Sequence, residues 1–187
     1  SGAKNRSAWK PPANADQGFG YETLLGHVTD AKPTTLFVAY GRETAYYKSP
    51  EEFEVFKRGY ITLLDDLVKV STTLILVSPP LLEDAGRPLP DPGESNKRLQ
   101  RTSAFIKDVA KKGGHRLINL TDHLIPAGAK KNLTLNGQQF TQYGHEQLAQ
   151  VMLEQMGLAA KGGYKAEFAA DGTVRASENA KVDKLVK

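Results

Sequence analysis

Short apolar runs alternate along the chain with longer segments of helical periodicity, and this alternation predicts a parallel sheet with crossover helices. The first predicted strand, residues 34–40, is almost continuously apolar and ends at Gly41. The second, residues 72–77, runs into Ser78 and two prolines, and a third is predicted over residues 116–120. The sequence therefore predicts an α/β fold with three layers, α/β/α.

Capping signals place the helices between these strands. Ser49 is suited to cap a helix, Pro50 to occupy its first position, and Glu52 to complete a capping box. Later helices are predicted to stop at residues 113–114 and to begin near Gly144. The apolar residues whose helical spacing predicts buried faces are Phe53, Phe56, Tyr60, Leu63, Leu64, Leu67, Leu99, Phe105, Ile106, Val109, Leu148, Val151, Met152 and Met156.

The character of the sequence changes near both ends of this alternation. Residues 1–18 are polar and predict no strand, so the sheet is expected to lack an edge strand that would precede it. Residues 19–158 form the predicted α/β domain. Residues 159–187 form a C-terminal extension in which the segment around Asp171 and Gly172 predicts a β-hairpin and the start of a β-rich domain.

Composition excludes several classes of function. The net charge of +4 and pI near 9.2 come from basic residues spread among 21 acidic ones, which indicates a solvated surface and no nucleic-acid partner. Apolar runs are too short for the membrane-spanning length of about 18 residues, so no membrane span is expected. The absence of cysteine excludes disulfides and thiolate sites, and histidines and carboxylates show no metal-ligand spacing. Neither a metal nor a cofactor is predicted.

Ligand sites in open α/β sheets form at the carboxyl ends of the strands. In this chain those positions are residues 40–43, Ser78 and the segment after Leu120, with the loop 133–143 expected to join them. The candidate ligand-binding residues at this edge are Tyr40, Arg42, Ser78 and His145.

Three stretches in these regions, residues 32–41, 76–96 and 133–145, resemble the SGNH/GDSL hydrolases. The similarity extends over roughly residues 19–158 and is strongest to a branch of exported, planctomycete-type multidomain proteins. The resemblance implies a flavodoxin-like α/β sheet, hydrolysis of acyl or acetyl esters by a serine, a histidine and an aspartate, and an extracytoplasmic, periplasmic-type location.

The residues at the family's catalytic positions differ from that pattern. Gly41 and Glu43 stand at the oxyanion turn, where the family has glycine and asparagine, while Asn136 and Gln139 stand at the aspartate and histidine of its Asp-x-x-His block. A glutamine amide cannot accept the proton of a serine, and a carboxylate at position 43 would repel an oxyanion. The family's Gly-Asp-Ser motif is expected upstream of Ser1.

Three hypotheses remain open from the sequence. The first is an inactive ester-hydrolase scaffold that serves as a binding or assembly subunit, with a polar or carbohydrate-like ligand held by Arg42, Glu43, Asn136 and Gln139. The second is an active serine esterase whose nucleophile lies upstream and whose base is His145 or water. The third is a purely structural subunit of a larger protein complex.

Overall fold

A computed structural model describes residues 19–71, 73–84, 86–124 and 132–158, together with the short segments 167–168 and 174–175. In order along the chain the elements are α1 (Phe19–Ala31), β1 (Thr35–Val38), a 3₁₀ turn (Arg42–Tyr46), α2 (Pro50–Leu67), β2 (Thr73–Val77), α3 (Gly93–Gly113), β3 (Arg116–Ile118), α4 (Leu120–His123), α5 (Gln142–Gln155), β4 (Glu167–Phe168) and β5 (Val174–Arg175).

The first three strands form a parallel sheet in the order β1-β2-β3. Leu36 lies opposite Leu74 in the register of β1 and β2, and Leu76 lies opposite Leu117 in that of β2 and β3. Among the described residues β1 is an edge strand, and its Phe37 is 43% exposed. The predicted α/β class and parallel sheet are confirmed.

Alternate residues of β2 face opposite sides of the sheet, as the twofold period of a strand requires. Leu74 and Leu76 belong to a hydrophobic cluster with α1, α2 and α3. Ile75 and Val77 belong to a second cluster, with apolar residues of α4 and α5. Helices therefore cover both faces of the sheet, which gives the three layers that the sequence predicted.

The signals at the start of α2 act as the sequence predicted. Ser49 Oγ accepts a hydrogen bond from the Glu52 backbone N–H at 3.4 Å, and the Glu52 carboxylate accepts one from the Ser49 N–H at 3.0 Å. The six apolar positions predicted for the inner face of this helix are all buried. The rings of Phe53, Phe56 and Tyr60 pack with one another and with that of Phe105 on α3, and the centroids of the contacting pairs are 5.6–6.2 Å apart.

Several predicted boundaries were wrong. The helix α1 was not predicted, and β1 is shorter than residues 34–40 because its pairing with β2 ends at Val38. The third strand ends at Ile118 because Asn119 instead caps α4, its Oδ1 accepting a hydrogen bond from the Asp122 N–H at 3.1 Å. The last helix begins at Gln142, since Thr141 caps it through the Gly144 N–H at 3.0 Å.

The predicted C-terminal hairpin is confirmed by the antiparallel pairing of β4 with β5, in which Glu167 lies opposite Arg175. The turn residues 170–172 and the polar segment 1–18 lie outside the described residues. No helix in the described part of the chain combines the length and apolar character needed to cross a bilayer.

Candidate functional site

The 3₁₀ turn after β1 forms one side of the candidate site, and its geometry requires a glycine. Gly41 has a φ of 114°, and a Cβ at this position would lie 2.8 Å from Thr102 Cγ2 on α3. Thr44 Oγ1 donates to the Gly41 carbonyl oxygen at 2.7 Å and also lies 2.7 Å from Thr102 Oγ1. The turn is therefore fixed against α3 by close packing and by two buried hydroxyls.

Within this turn, the carboxylate of Glu43 accepts a hydrogen bond from the backbone N–H of Gly41, the group predicted to donate to an oxyanion. The Gly41 N–H donates to Glu43 Oε2 at 3.2 Å. The Tyr40 hydroxyl has its pKa raised, first by burial and second by the negative charge of Glu43. The turn that the sequence predicted after the first strand is present, the Glu43 carboxylate accepts its Gly41 N–H, and its oxyanion role stays a prediction.

A buried carboxylate holds the second side of the site, the loop 132–141. Glu83 is only 8% exposed, and it accepts hydrogen bonds from the backbone N–H groups of Leu133 (2.9 Å) and Thr134 (2.6 Å) and from Thr134 Oγ1. Its own backbone N–H donates to the Gly137 carbonyl oxygen at 3.1 Å. The sequence analysis missed Glu83, although an acidic residue directly after Leu81 and Leu82 was a usable signal.

Asn136 and Gln139 both lie exposed on this loop. Asn136 Oδ1 accepts from the backbone N–H groups of Gln138 (3.2 Å) and Gln139 (2.9 Å), so its side chain shapes the turn. The Gln139 carbonyl oxygen accepts from the Leu135 N–H at 2.8 Å, and Gln139 itself is exposed.

Arg42 connects the two sides. Its guanidinium donates to the Gln138 carbonyl oxygen, and burial lowers the pKa of Arg42 from its ordinary value. The contact brings the residues of the turn, Gly41 to Glu43, next to the loop that carries Asn136 and Gln139. Gln138 was not singled out from the sequence, because a backbone carbonyl leaves no signature in residue type.

Ser78 and His145 have different surroundings from these residues. Ser78 is 1% exposed, its Oγ lies 3.0 Å from Thr121 Oγ1, and it donates to Asn119 Oδ1 at 3.3 Å. Contact with a ligand, as predicted for Ser78, would require this network to open. His145 is exposed in the first turn of α5, where its ring meets that of Phe140 edge-on with centroids 5.5 Å apart.

In the residues that the structure describes, no three histidine, aspartate or glutamate side chains are grouped so that they could hold a metal ion. The prediction that the protein needs no cofactor stays a prediction.

No protein-family model matches this chain, and no curated protein matches it in sequence. Solved structures do. Acetylxylan esterase Axe2 from Geobacillus stearothermophilus superimposes with a TM-score of 0.57 at 13% identity, over 73% of this chain and 67% of that one. The lipase/acylhydrolase from Enterococcus faecalis gives 0.56 at 19% identity, over 73% and 68%. The fold is that of the SGNH hydrolases.

A third structure with a similar fold is LAE5, an alpha/beta hydrolase enzyme from the metagenome of Lake Arreo, Spain, with a TM-score of 0.59 at 15% identity, over 74% of this chain and 66% of that one. This chain therefore spans about two thirds of the length of these structures. The Axe2 structures include catalytic mutants in which a serine, an aspartate or a histidine was replaced, the last two residues being three positions apart in Axe2. The predicted resemblance is confirmed at the level of the fold.

Proposed function

We propose that this chain is an ester-hydrolase scaffold that binds a polar, carbohydrate-like ligand and does not hydrolyse it. The main support is the hydrogen bond from the Gly41 N–H to Glu43 Oε2. Ester hydrolysis develops negative charge on the substrate oxygen, and enzymes stabilise that charge with preorganised donors. Here the donor already faces a carboxylate, which would repel the same charge.

The loop supports the same proposal. Axe2 has a catalytic aspartate and histidine three positions apart, and this chain has Asn136 and Gln139 at the same spacing. Neither amide titrates near neutral pH, so neither can take a proton from a nucleophile. Asn136 Oδ1 is also engaged with the backbone of its own loop, so this side chain shapes a turn.

Groups suited to binding remain at this site. The exposed amide of Gln139 and the partly exposed guanidinium of Arg42 offer donors and an acceptor on one surface, and such groups recognise sugar hydroxyls. Because Axe2 is an acetylxylan esterase, xylo-oligosaccharides are the first ligands to examine. A role as an assembly subunit and an extracytoplasmic location belong to the same proposal.

Calorimetric titration of the chain with acetylated and deacetylated xylo-oligosaccharides tests this function, with acetate release measured in parallel. We expect saturable binding, a loss of roughly fivefold in affinity for Gln139→Ala, and no acetate release above the buffer rate. Gln150→Ala is the matched control, because Gln150 is an exposed glutamine on α5 whose amide pairs with Glu154. Equal binding by both variants, or release of acetate, would refute the proposal.

The second candidate function is an active serine esterase with its nucleophile upstream of Ser1. The exposure of His145, close in sequence to the loop that carries Gln139, favours it, since an exposed imidazole can act as a base. A fluorophosphonate adduct on the polypeptide purified from its native source would support this function, provided that His145→Gln abolishes the labelling. An unlabelled polypeptide would support the binding function.

A further inference from the structure

A cleft of about 200 Å³ lies where the 3₁₀ turn ends and α2 begins, with α3 on its other side. Its lining shares Thr44 with the turn of the candidate site, and it includes none of Tyr40, Arg42, Glu43, Asn136 and Gln139. Three cationic residues line it, Lys48, Arg98 and Arg101. Its apolar wall is formed by Tyr47, Pro50 and Phe53. Positive charge and aromatic surface are thus concentrated in one concave place.

The two arginines of the cleft are held in position without a ligand. Arg98 Nη1 donates to the Ala45 carbonyl oxygen at 3.2 Å, and the Arg101 guanidinium lies 4.3 Å from the centroid of the Phe53 ring. Because Arg98 and Arg101 are three residues apart on α3, their side chains emerge on the same face of the helix. Because both side chains are already ordered, binding of an anion costs little additional side-chain conformational entropy.

The cations of the cleft are not paired in salt bridges among the described residues, although the pKa of Glu94 is lowered first by its hydrogen bond from Lys97 and also by the charge of Arg98. Neither Lys48 nor either arginine forms a salt bridge with a carboxylate in the described part of the chain, whereas Lys97 on the same helix pairs with Glu94 at 2.7 Å. Arg98 is partly buried and Lys48 and Arg101 are exposed, and a concave surface lined by charges of one sign attracts a counter-ion more strongly than isolated surface charges do.

Two carboxylates lie at the start of α2, and they are already engaged. Glu52 accepts the backbone N–H groups of Lys48 and Ser49, and a hydrogen bond from Ser49 lowers the pKa of Glu51. The terminus of α2 is therefore satisfied by the protein itself. Any attraction of the cleft for an anion comes from the three cationic side chains.

We propose that this cleft binds a phosphate or sulfate group, attached to a ring or other apolar body that packs against Tyr47 and Phe53. A tetrahedral oxyanion offers at least three acceptor oxygens, which suits two guanidinium groups one helical turn apart and an ammonium from a different element. A planar carboxylate could satisfy only one of those guanidinium groups bidentately. The proposal stands independently of the function proposed for the turn and the loop.

Titration with inorganic phosphate, sulfate and acetate, at constant ionic strength and followed by amide NMR shifts, tests the proposal. We expect saturable shifts of residues 44–53 and 98–101 with phosphate or sulfate, and affinity that falls roughly tenfold in Lys48→Gln and in Arg101→Gln. Arg58→Gln is the matched control, because Arg58 is an exposed arginine of α2 outside the cleft. Its affinity should stay within about twofold of the unaltered chain.

A parallel titration with phenyl phosphate and phenyl sulfate identifies the source of the group, since each ester carries both the charge and the ring of the corresponding ligand. Linear shifts that do not saturate would overturn the proposal. It would also be overturned by undiminished binding in both cleft variants, or by acetate binding as tightly as phosphate and sulfate. Retained dispersion of the NMR spectrum in each variant shows that the fold is intact. A loss of affinity is then due to the removed cation and not to unfolding.

Discussion

The two sides of the candidate site are held in different ways. The turn 41–46 is fixed by steric fit, because Gly41 packs against Thr102 of α3 with no room for a Cβ. The loop 132–141 is fixed by hydrogen bonds that converge on one buried carboxylate, Glu83. The loop thus takes three of its hydrogen bonds from one distant carboxylate, in addition to its contact with Arg42, whereas the turn depends on packed neighbours. Substitutions at each side should show this difference.

The largest effect is expected at Glu83. Glu83→Ala leaves two backbone N–H groups and one hydroxyl without their acceptor, so the free energy of unfolding should fall by about 3 kcal/mol. Urea unfolding followed by circular dichroism measures it. Glu83→Gln, which keeps one acceptor oxygen, should lose less. A loss below about 1 kcal/mol for Glu83→Ala would show that the loop is held by other contacts.

Gly41→Ala tests the steric side of the comparison. A Cβ 2.8 Å from Thr102 Cγ2, at a φ of 114°, should lower the free energy of unfolding by about 2 kcal/mol. The control is Gly26→Ala on α1, where a Cβ meets nothing within 4 Å and alanine should add about 0.5 kcal/mol of stability. Equal effects of the two substitutions in thermal unfolding would contradict the steric account.

A smaller effect is expected at the hydroxyl pair that ties the turn to α3. Thr44→Val removes the bond to the Gly41 carbonyl oxygen and the contact with Thr102, which should cost about 1 kcal/mol. Thr102 keeps a partner, since the Arg98 carbonyl oxygen lies 3.1 Å from its Oγ1 and accepts the hydroxyl proton when Thr44 Oγ1 is absent. A double-mutant cycle with Thr102→Val measures the coupling, and a coupling near zero would mean that the pair contributes nothing.

The smallest change in stability is expected at Glu43. Glu43→Gln alters an exposed side chain, so the free energy of unfolding should change by less than about 0.5 kcal/mol. The pKa of Tyr40 should fall, because the negative charge that disfavours the tyrosinate is removed, but burial should keep it above its ordinary value. NMR titration of the Tyr40 ring measures this shift. An unchanged pKa would place the Glu43 charge too far away to act on the site.

Local sequence signals predicted α2 well, because the information for that helix lies within it. A capping serine, a proline at the first helical position and apolar residues at helical spacing are contained in residues 49–67. The helix α1 was missed for the opposite reason. Its apolar and polar residues do not separate clearly onto two faces, and its Tyr21 is buried through a contact with a distant residue, donating to Asp66 of α2 at 2.7 Å.

The sequence by itself determined the α/β class, the parallel strands, the main helices and the identities of the residues at the predicted site positions, Gly41, Glu43, Asn136 and Gln139. These follow from periods of two and 3.6 residues and from residue identity, which are local properties. Only the tertiary structure decided what these residues contact.

Three decisive contacts of the site came from the tertiary structure alone. Glu83 binds the loop across 50 residues, Thr44 meets Thr102 across 58, and Arg42 reaches the Gln138 carbonyl oxygen across 96. No local pattern encodes such contacts, because they depend on how helices and strands pack in space. The physical reason is that hydrophobic periodicity selects which face is buried, while the partners of a polar group are set by the shape of the packed core.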